Sequence, residues 1–144
     1  MRVYHTSPKE IENINTDGMF NDCLFFSETP YSMSISEVMT YALDINDTIE
    51  VSSFFYQDDC EKLNDIVSEI MNYFNTDNET AQNLLDSTIE SWELSDDAEA
   101  SFYIQAMQGR AGKELGYDGA CSEDEQGAVY IIPMFGREKD LELV

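Results

Sequence analysis

Residues 116–134, GYDGACSEDEQGAVYIIPM, constrain this 144-residue chain more than any other stretch. Gly116 reads as the left-handed stop of a helix. A short strand is predicted over residues 120–122, and the acids Glu123, Asp124 and Glu125 follow as a turn that Gln126-Gly127 closes. An apolar strand over residues 128–134 then returns to the core. The chain must therefore place three carboxylates at a hairpin tip between two strands. Such a tip can serve as a solvated acidic turn, or it can hold one acid for chemistry.

The middle of the chain supplies the helices. Leu63, Ile66, Val67, Ile70, Met71 and Phe74 form one apolar stripe at helical spacing, with Asp58 and Glu61 as a capping box. Ala81, Leu84, Leu85, Ile89 and Trp92 repeat the spacing behind a second box, Thr76 and Glu79. The two helices are expected to pack as a hairpin jointed at residues 75–78. The same joint lacks the glycine that a calcium loop needs at its sixth position, which excludes that metal reading. Asp96 and Glu99 open a third helix, whose ladder Tyr103, Met107, Ala111 and Leu115 includes Gly109 and Gly112. Each glycine costs about 1 kcal/mol against alanine, so close approach of the backbone to a sheet is their expected use.

Before the helices the signals are strand-like. Residues 2–5 read as a first strand, and Ser7-Pro8 breaks it. Ile11 and Ile14 are expected to pack in a loop or single turn that ends at Gly18. Residues 23–27, CLFFS, form a compact apolar run and so a buried strand. Thr29-Pro30 starts a short helix through residues 36–39. Residues 41–45 and the alternating Ile49, Val51, Ser53 and Phe55 read as two further strands turning at Asn46-Asp47. Gly136 begins a polar turn, and Leu141 and Leu143 add a short edge strand. The fold class expected is α+β, in one domain over residues 1–144.

Composition limits the partners. Thirty acids against seven Lys and Arg give a formal charge of −23, which repels nucleic acid phosphates and anionic membrane surfaces. Basic partners are favoured, including proteins that themselves grip nucleic acid. Cys23, Cys60 and Cys121 are odd in number and far apart, which suits a reducing cytosol rather than a disulfide scaffold. No apolar signal core opens the sequence and no run reaches membrane-spanning length, so an intracellular, cytoplasmic protein is expected.

Three places can carry chemistry. His5, the lone histidine, ends the first strand and is followed by Thr6. An imidazole there can bond a ribose hydroxyl while the backbone of the next residue holds a carboxamide. Ser27 ends the second strand, and Tyr31 on the helix behind it offers an aromatic face to a planar ring, with Tyr41 and Tyr56 as alternatives. The third place is the acidic tip. In an extended strand Glu123 and Glu125 share one face and Asp124 takes the other, whereas in a turn that alternation fails. No glycine-rich phosphate loop is present, and a lone histidine gives neither a zinc cluster nor an identifiable Cys-His pair. No metal is expected.

Taken in order, His5-Thr6 after the first strand, Leu24-Phe25-Phe26-Ser27, a helix ending in Leu115-Gly116-Tyr117-Asp118-Gly119, an acidic hairpin and Tyr130-Ile131-Ile132-Pro133 resemble the ADP-ribosyltransferase superfamily. Within it the chain most resembles the small phage-encoded anti-CRISPR ADP-ribosyltransferases directed at type I-F systems. The likeness is strongest in Val3-Tyr4-His5-Thr6, in Gly18-Met19-Phe20 with Leu24-Phe25, and in Leu115-Gly116-Tyr117. It is most specific at Glu123-Asp124-Glu125-Gln126-Gly127.

The resemblance implies two small, mainly antiparallel sheets that form an NAD cleft flanked by helices. It also implies a mono-ADP-ribosyltransferase with NAD as co-substrate, acting as a monomer in the host bacterial cytoplasm. Asp124 matches the essential acid, with Glu123 and Glu125 flanking it. His5 matches the ribose-binding histidine, and Thr6 the residue whose backbone holds the nicotinamide amide. Ser27 falls at the cleft edge, and Tyr31 and Tyr41 both answer to the superfamily's tyrosine. The implied target is the subunit of a type I-F surveillance complex that reads the protospacer-adjacent motif, and its modification would block DNA binding. Two other readings fit the charge: an acidic DNA mimic without chemistry, and a transferase acting on another host protein.

Overall fold

The computed structural model describes residues 1–7, 23–28, 39–124 and 127–143, and of residues 7, 39, 124 and 138 the backbone alone. Ten helices and strands lie within these residues. They run β1 (Arg2–Ser7), β2 (Cys23–Phe26), β3 (Met39–Asp44), β4 (Thr48–Glu50), α1 (Asn64–Phe74), α2 (Asn78–Leu85), α3 (Ala98–Glu114), β5 (Gly119–Asp124), β6 (Gly127–Pro133) and β7 (Glu142–Leu143). The strands form a three-stranded sheet in the order β1-β3-β7 and a four-stranded sheet in the order β2-β6-β5-β4. All pairs are antiparallel except β4 with β5. The predicted α+β class with two small sheets is the fold observed. Residues 8–22 and 29–38, where the packed turn at Ile11 and Ile14 and the helix after Pro30 are expected, lie outside the described residues.

The sheets join where Tyr4 and Ser27 exchange both backbone hydrogen bonds, at 2.8 and 2.9 Å. Two cores result. One lies between the sheets and is built from Val3, Phe26, Leu43, Ile45, Tyr130, Ile132 and Met134. The other lies on the far face of the four-stranded sheet, where α3 packs against β5 and β6 and gathers apolar residues of α1 and α2 around it. The two interior glycines permit that approach. A Cβ on Gly112 would collide with the backbone of Gly119, and one on Gly109 would come within 2.8 Å of Cys23 Sγ and the Ile131 side chain. The helix stops at Leu115, and Gly116 follows with φ +94°, as its sequence signal predicts.

Several local expectations need correction. Residues 49–55 are not one strand: β4 ends at Glu50 and a 3₁₀ turn runs Val51–Tyr56. Val51 and Phe54 stand three apart and are both buried in the helical core, a spacing that suits a three-residue turn rather than a pleat. The two expected capping boxes are absent, and Asp96 does not cap the third helix. α1 follows a 3₁₀ turn, Cys60–Leu63, that has no side-chain cap. α2 is capped by Asp77, which accepts from Thr80 N at 2.8 Å, and α3 by Asp97, which accepts from Glu99 N at 3.0 Å. In both cases the residue one position further on takes the cap. At α2 the Asp77 carboxylate is a stronger acceptor for the orphan amides than the Thr76 hydroxyl. At α3 both candidates are aspartates, and the helix simply starts one residue later.

The second stripe also ends early, at Leu85. Gln108 of α3 donates to the Leu85 carbonyl and to Ser87 Oγ, at 3.0 and 2.9 Å, and Ser87 turns the chain with φ 64°. Trp92 falls in a separate 3₁₀ turn, Ser91–Glu93, and is 70% exposed. The hairpin differs most usefully. β5 extends to Asp124, and Glu123 and Asp124 pair with Ala128 and Gly127. Two of the three acids thus belong to a strand, not a turn.

Candidate active site

Directly paired residues in neighbouring strands carry their side chains on one face of a sheet. Phe26 pairs with Tyr130, Tyr130 with Cys121, and Cys121 with Glu50, so these four cross the four-stranded sheet in a row. The row lies opposite α3, toward the three-stranded sheet. Glu123 stands two residues beyond Cys121 on the same face. Burial pushes the Cys121 thiol above its ordinary value, and the carboxylates of Glu50, Glu123 and Glu28 add to the shift. Glu28, the residue after Ser27, accepts a 2.7 Å hydrogen bond from the Tyr130 hydroxyl. Burial foremost, and then this bond, hold the Tyr130 phenol well above its usual range.

His5 forms the adjoining wall. A carbonyl only accepts, so the 2.8 Å contact of His5 Nδ1 with the Phe25 carbonyl puts the ring proton on Nδ1. Burial lowers the imidazole pKa against the raising effect of that bond, so the neutral ring is favoured and Nε2 is left as an acceptor. The ring also lies 5.7 Å from that of Phe26, tilted by 55°. Thr6 follows, and its Oγ1 is buried with no hydrogen-bond partner among the described residues. Tyr41 stands directly opposite His5 across the β1–β3 ladder and is buried. Ser27 is buried at the sheet junction.

The acids lie at the other end of the row. From β2 to β5 is two strand spacings, about 10 Å. Glu123 is exposed, while Asp124 is the last residue of β5, opposite Gly127 at φ +119°. Glu125 and Tyr31 lie outside the described residues. Beside Glu123 opens a cleft of about 310 Å³ between Glu50, Ser52, Asp86, Ser87 and Ser122. A second of about 180 Å³ shares Ser87, Ser122 and Glu123 and runs on toward Glu90 and Gln108. Among the described residues no three His, Cys, Asp or Glu side chains are grouped to hold a metal ion.

The fold thus brings His5, Thr6, Tyr41 and Ser27 together where the sheets meet and sets Glu123 and Asp124 on β5, two strands in from β2 in the four-stranded sheet. Sequence reasoning missed Glu50 and Cys121, which line the larger cleft, and the bonded pair Tyr130 and Glu28 nearer the sheet junction. Strand alternation carried a signal for Tyr130 and Cys121, but the pairing that aligns them across three strands is a long-range property.

Two small sheets joined edge to edge, with a histidine on one and an acid-tipped hairpin in the other, define an ADP-ribosyltransferase-like fold. A family model described as the anti-CRISPR type I-F ADP-ribosyltransferase AcrIF11 matches residues 1–136, and the chain belongs to that family. One solved structure, described as the crystal structure of an anti-CRISPR protein, is similar in fold. Its TM-score is 0.56 at 19% identity, over 92% of this chain and 88% of that one. No curated protein sequence matches. Families of this activity draw on NAD as co-substrate in general, and an anti-CRISPR family is directed at CRISPR machinery.

Proposed function

We propose that this chain is an NAD-dependent protein mono-ADP-ribosyltransferase. Its target is the subunit of a type I-F surveillance complex that reads the protospacer-adjacent motif, and modification of that subunit blocks DNA binding. The observation that carries the reading is the pairing of His5 with Thr6. A neutral imidazole presents Nε2 as an acceptor, and the backbone of Thr6 follows it on β1. The imidazole fits a ribose hydroxyl and the Thr6 backbone a nicotinamide amide, with Tyr41 or Tyr31 as the candidate stacking residue.

The dinucleotide supplies an electrophilic ribose carbon. In transfer, the bond from that carbon to the nicotinamide nitrogen breaks, and its electron pair leaves with nicotinamide. A target side chain bonds the same carbon and gives up its proton. Positive charge that develops on the ribose is stabilised by a carboxylate of the hairpin, Asp124 with Glu123 or Glu125 beside it. A fixed group of this kind contributes about 10²–10³ in rate. The charge of −23 favours a basic nucleic-acid-binding surface as the target, and gives speed and orientation more than affinity.

Incubation with labelled NAD and a lysate containing the type I-F complex tests the proposal. One labelled band, at the mass of the motif-reading subunit, is the expected result. Inhibition of DNA binding without NAD, lost steeply as salt rises, would replace it with an acidic decoy in the DNA channel.

A further inference from the structure

Tyr130 and Glu28 are 102 residues apart in sequence and meet beside the sheet junction at Ser27. Tyr130 is buried in the core between the sheets, flanked on its own sheet by Phe26 and Cys121. A buried phenol needs a partner for its hydroxyl, and this one donates to Glu28 Oε1 at 2.7 Å. Glu28 itself is exposed. Surface glutamates sample many rotamers, and fixing one opposes its side-chain entropy. Here one carboxylate oxygen is pinned from beneath by a ring that the core immobilises. Oε2 has no partner among the described residues.

The location adds to this. Glu28 follows Ser27, and Ser27 is bridged to Tyr4, the neighbour of His5. An imidazole and a carboxylate therefore flank the sheet junction, each anchored at one end and presenting an acceptor at the other. Two acceptors repel a pyrophosphate and call for a ligand with hydroxyl donors.

We propose that Glu28 is a ligand-binding carboxylate at the sheet junction that takes a ribose hydroxyl through Oε2, with Tyr130 as the positioning residue that holds it. The assignment rests on the NAD reading above. A hydrogen bond to a charged acceptor of this kind corresponds to about a tenfold or larger change in affinity.

The test is NAD titration and steady-state kinetics on Glu28→Gln and Tyr130→Phe, repeated with NAD analogues lacking single ribose hydroxyls. Glu28→Gln is expected to raise KM about tenfold with kcat and Tm nearly unchanged, and Tyr130→Phe to raise KM by a smaller factor. The analogue that lacks the bonded hydroxyl should bind the wild type as weakly as NAD binds Glu28→Gln, and should lose nothing further in that variant. A wild-type KM in Glu28→Gln, or losses that simply multiply for every analogue, would overturn the assignment. Should Tyr130→Phe unfold, the exposed Glu28→Gln carries the test alone. A wild type that binds no NAD sinks this proposal and the transferase reading together. NAD binding indifferent to Glu28 sinks this one alone.

Discussion

His5 Nδ1 donates to the carbonyl oxygen of Phe25 across 2.8 Å, tying the first strand of one sheet to the first strand of the other. The bond fixes the tautomer and the ring's direction, and burial favours the neutral form. Unfolded, the ring titrates near its ordinary value of 6.5; folded, its pKa is lower. The unfolded chain therefore binds the extra proton first as pH falls. The stability linked to His5 is fully present above about pH 6.5 and is lost as pH drops through the folded value. Calorimetric Tm between pH 5 and 8 should fall on the acid side, and His5→Gln should flatten that part of the slope. NAD affinity should decline over the same acid range, because a protonated Nε2 no longer accepts.

Gly112 is the tightest point between α3 and the four-stranded sheet. A Cβ there would run into the Gly119 backbone, which cannot move aside as a flexible side chain would. Gly112→Ala is expected to destabilise by about 2 kcal/mol or more despite alanine's better helix propensity. Chemical denaturation checks this, and a neutral or stabilising result would mean that the helix stands off the sheet.

Asp118 ties three segments at the start of β5. Its Oδ2 accepts from the amides of Asn46 and Asp47, at 2.7 and 3.2 Å, and its Oδ1 from Arg137 at 3.2 Å. Asp118→Ala leaves two amides without their acceptor and the half-buried Arg137 with Asp140 alone, and a loss of about 1 kcal/mol is expected. Hydrogen exchange should quicken first at Asn46 and Asp47, ahead of α3.

Asp86 and Glu90 rim the clefts beside Glu123. If a basic target docks over them, Asp86→Lys with Glu90→Lys should slow modification of the target about tenfold at low salt and make the remaining rate less salt-sensitive. Hydrolysis of NAD in the absence of target should not change. Equal loss of both activities would place these acids in the cofactor cleft instead.

Much of this was legible from local pattern. The stripe at Leu63–Phe74 spacing, the glycines of α3 and the stop at Gly116 each follow from one element and its neighbours, and each held. What failed had two causes. Where two capping residues stand side by side, as Thr76 and Asp77 do, spacing alone does not rank them, and the stronger acceptor won. Where an element's end is set by a distant partner, as Gln108 ends α2 at Leu85, the periodicity of the stripe carries no trace of it. The site divides in the same way. His5 and the acids stood out by chemistry and resemblance, whereas Glu28 acquires a meaning only when Tyr130 is folded beneath it.

The central claim is that the histidine of the three-stranded sheet and the acids of the four-stranded sheet act on the same NAD molecule. The direct measurement is mass spectrometry of purified type I-F surveillance complex after incubation with NAD and wild type, His5→Ala or Asp124→Ala. The account predicts one ADP-ribose on the motif-reading subunit with the wild type and at least a hundredfold less with either variant, both remaining folded. Full modification by Asp124→Ala, or loss of DNA binding by a complex that carries no modification, would contradict it.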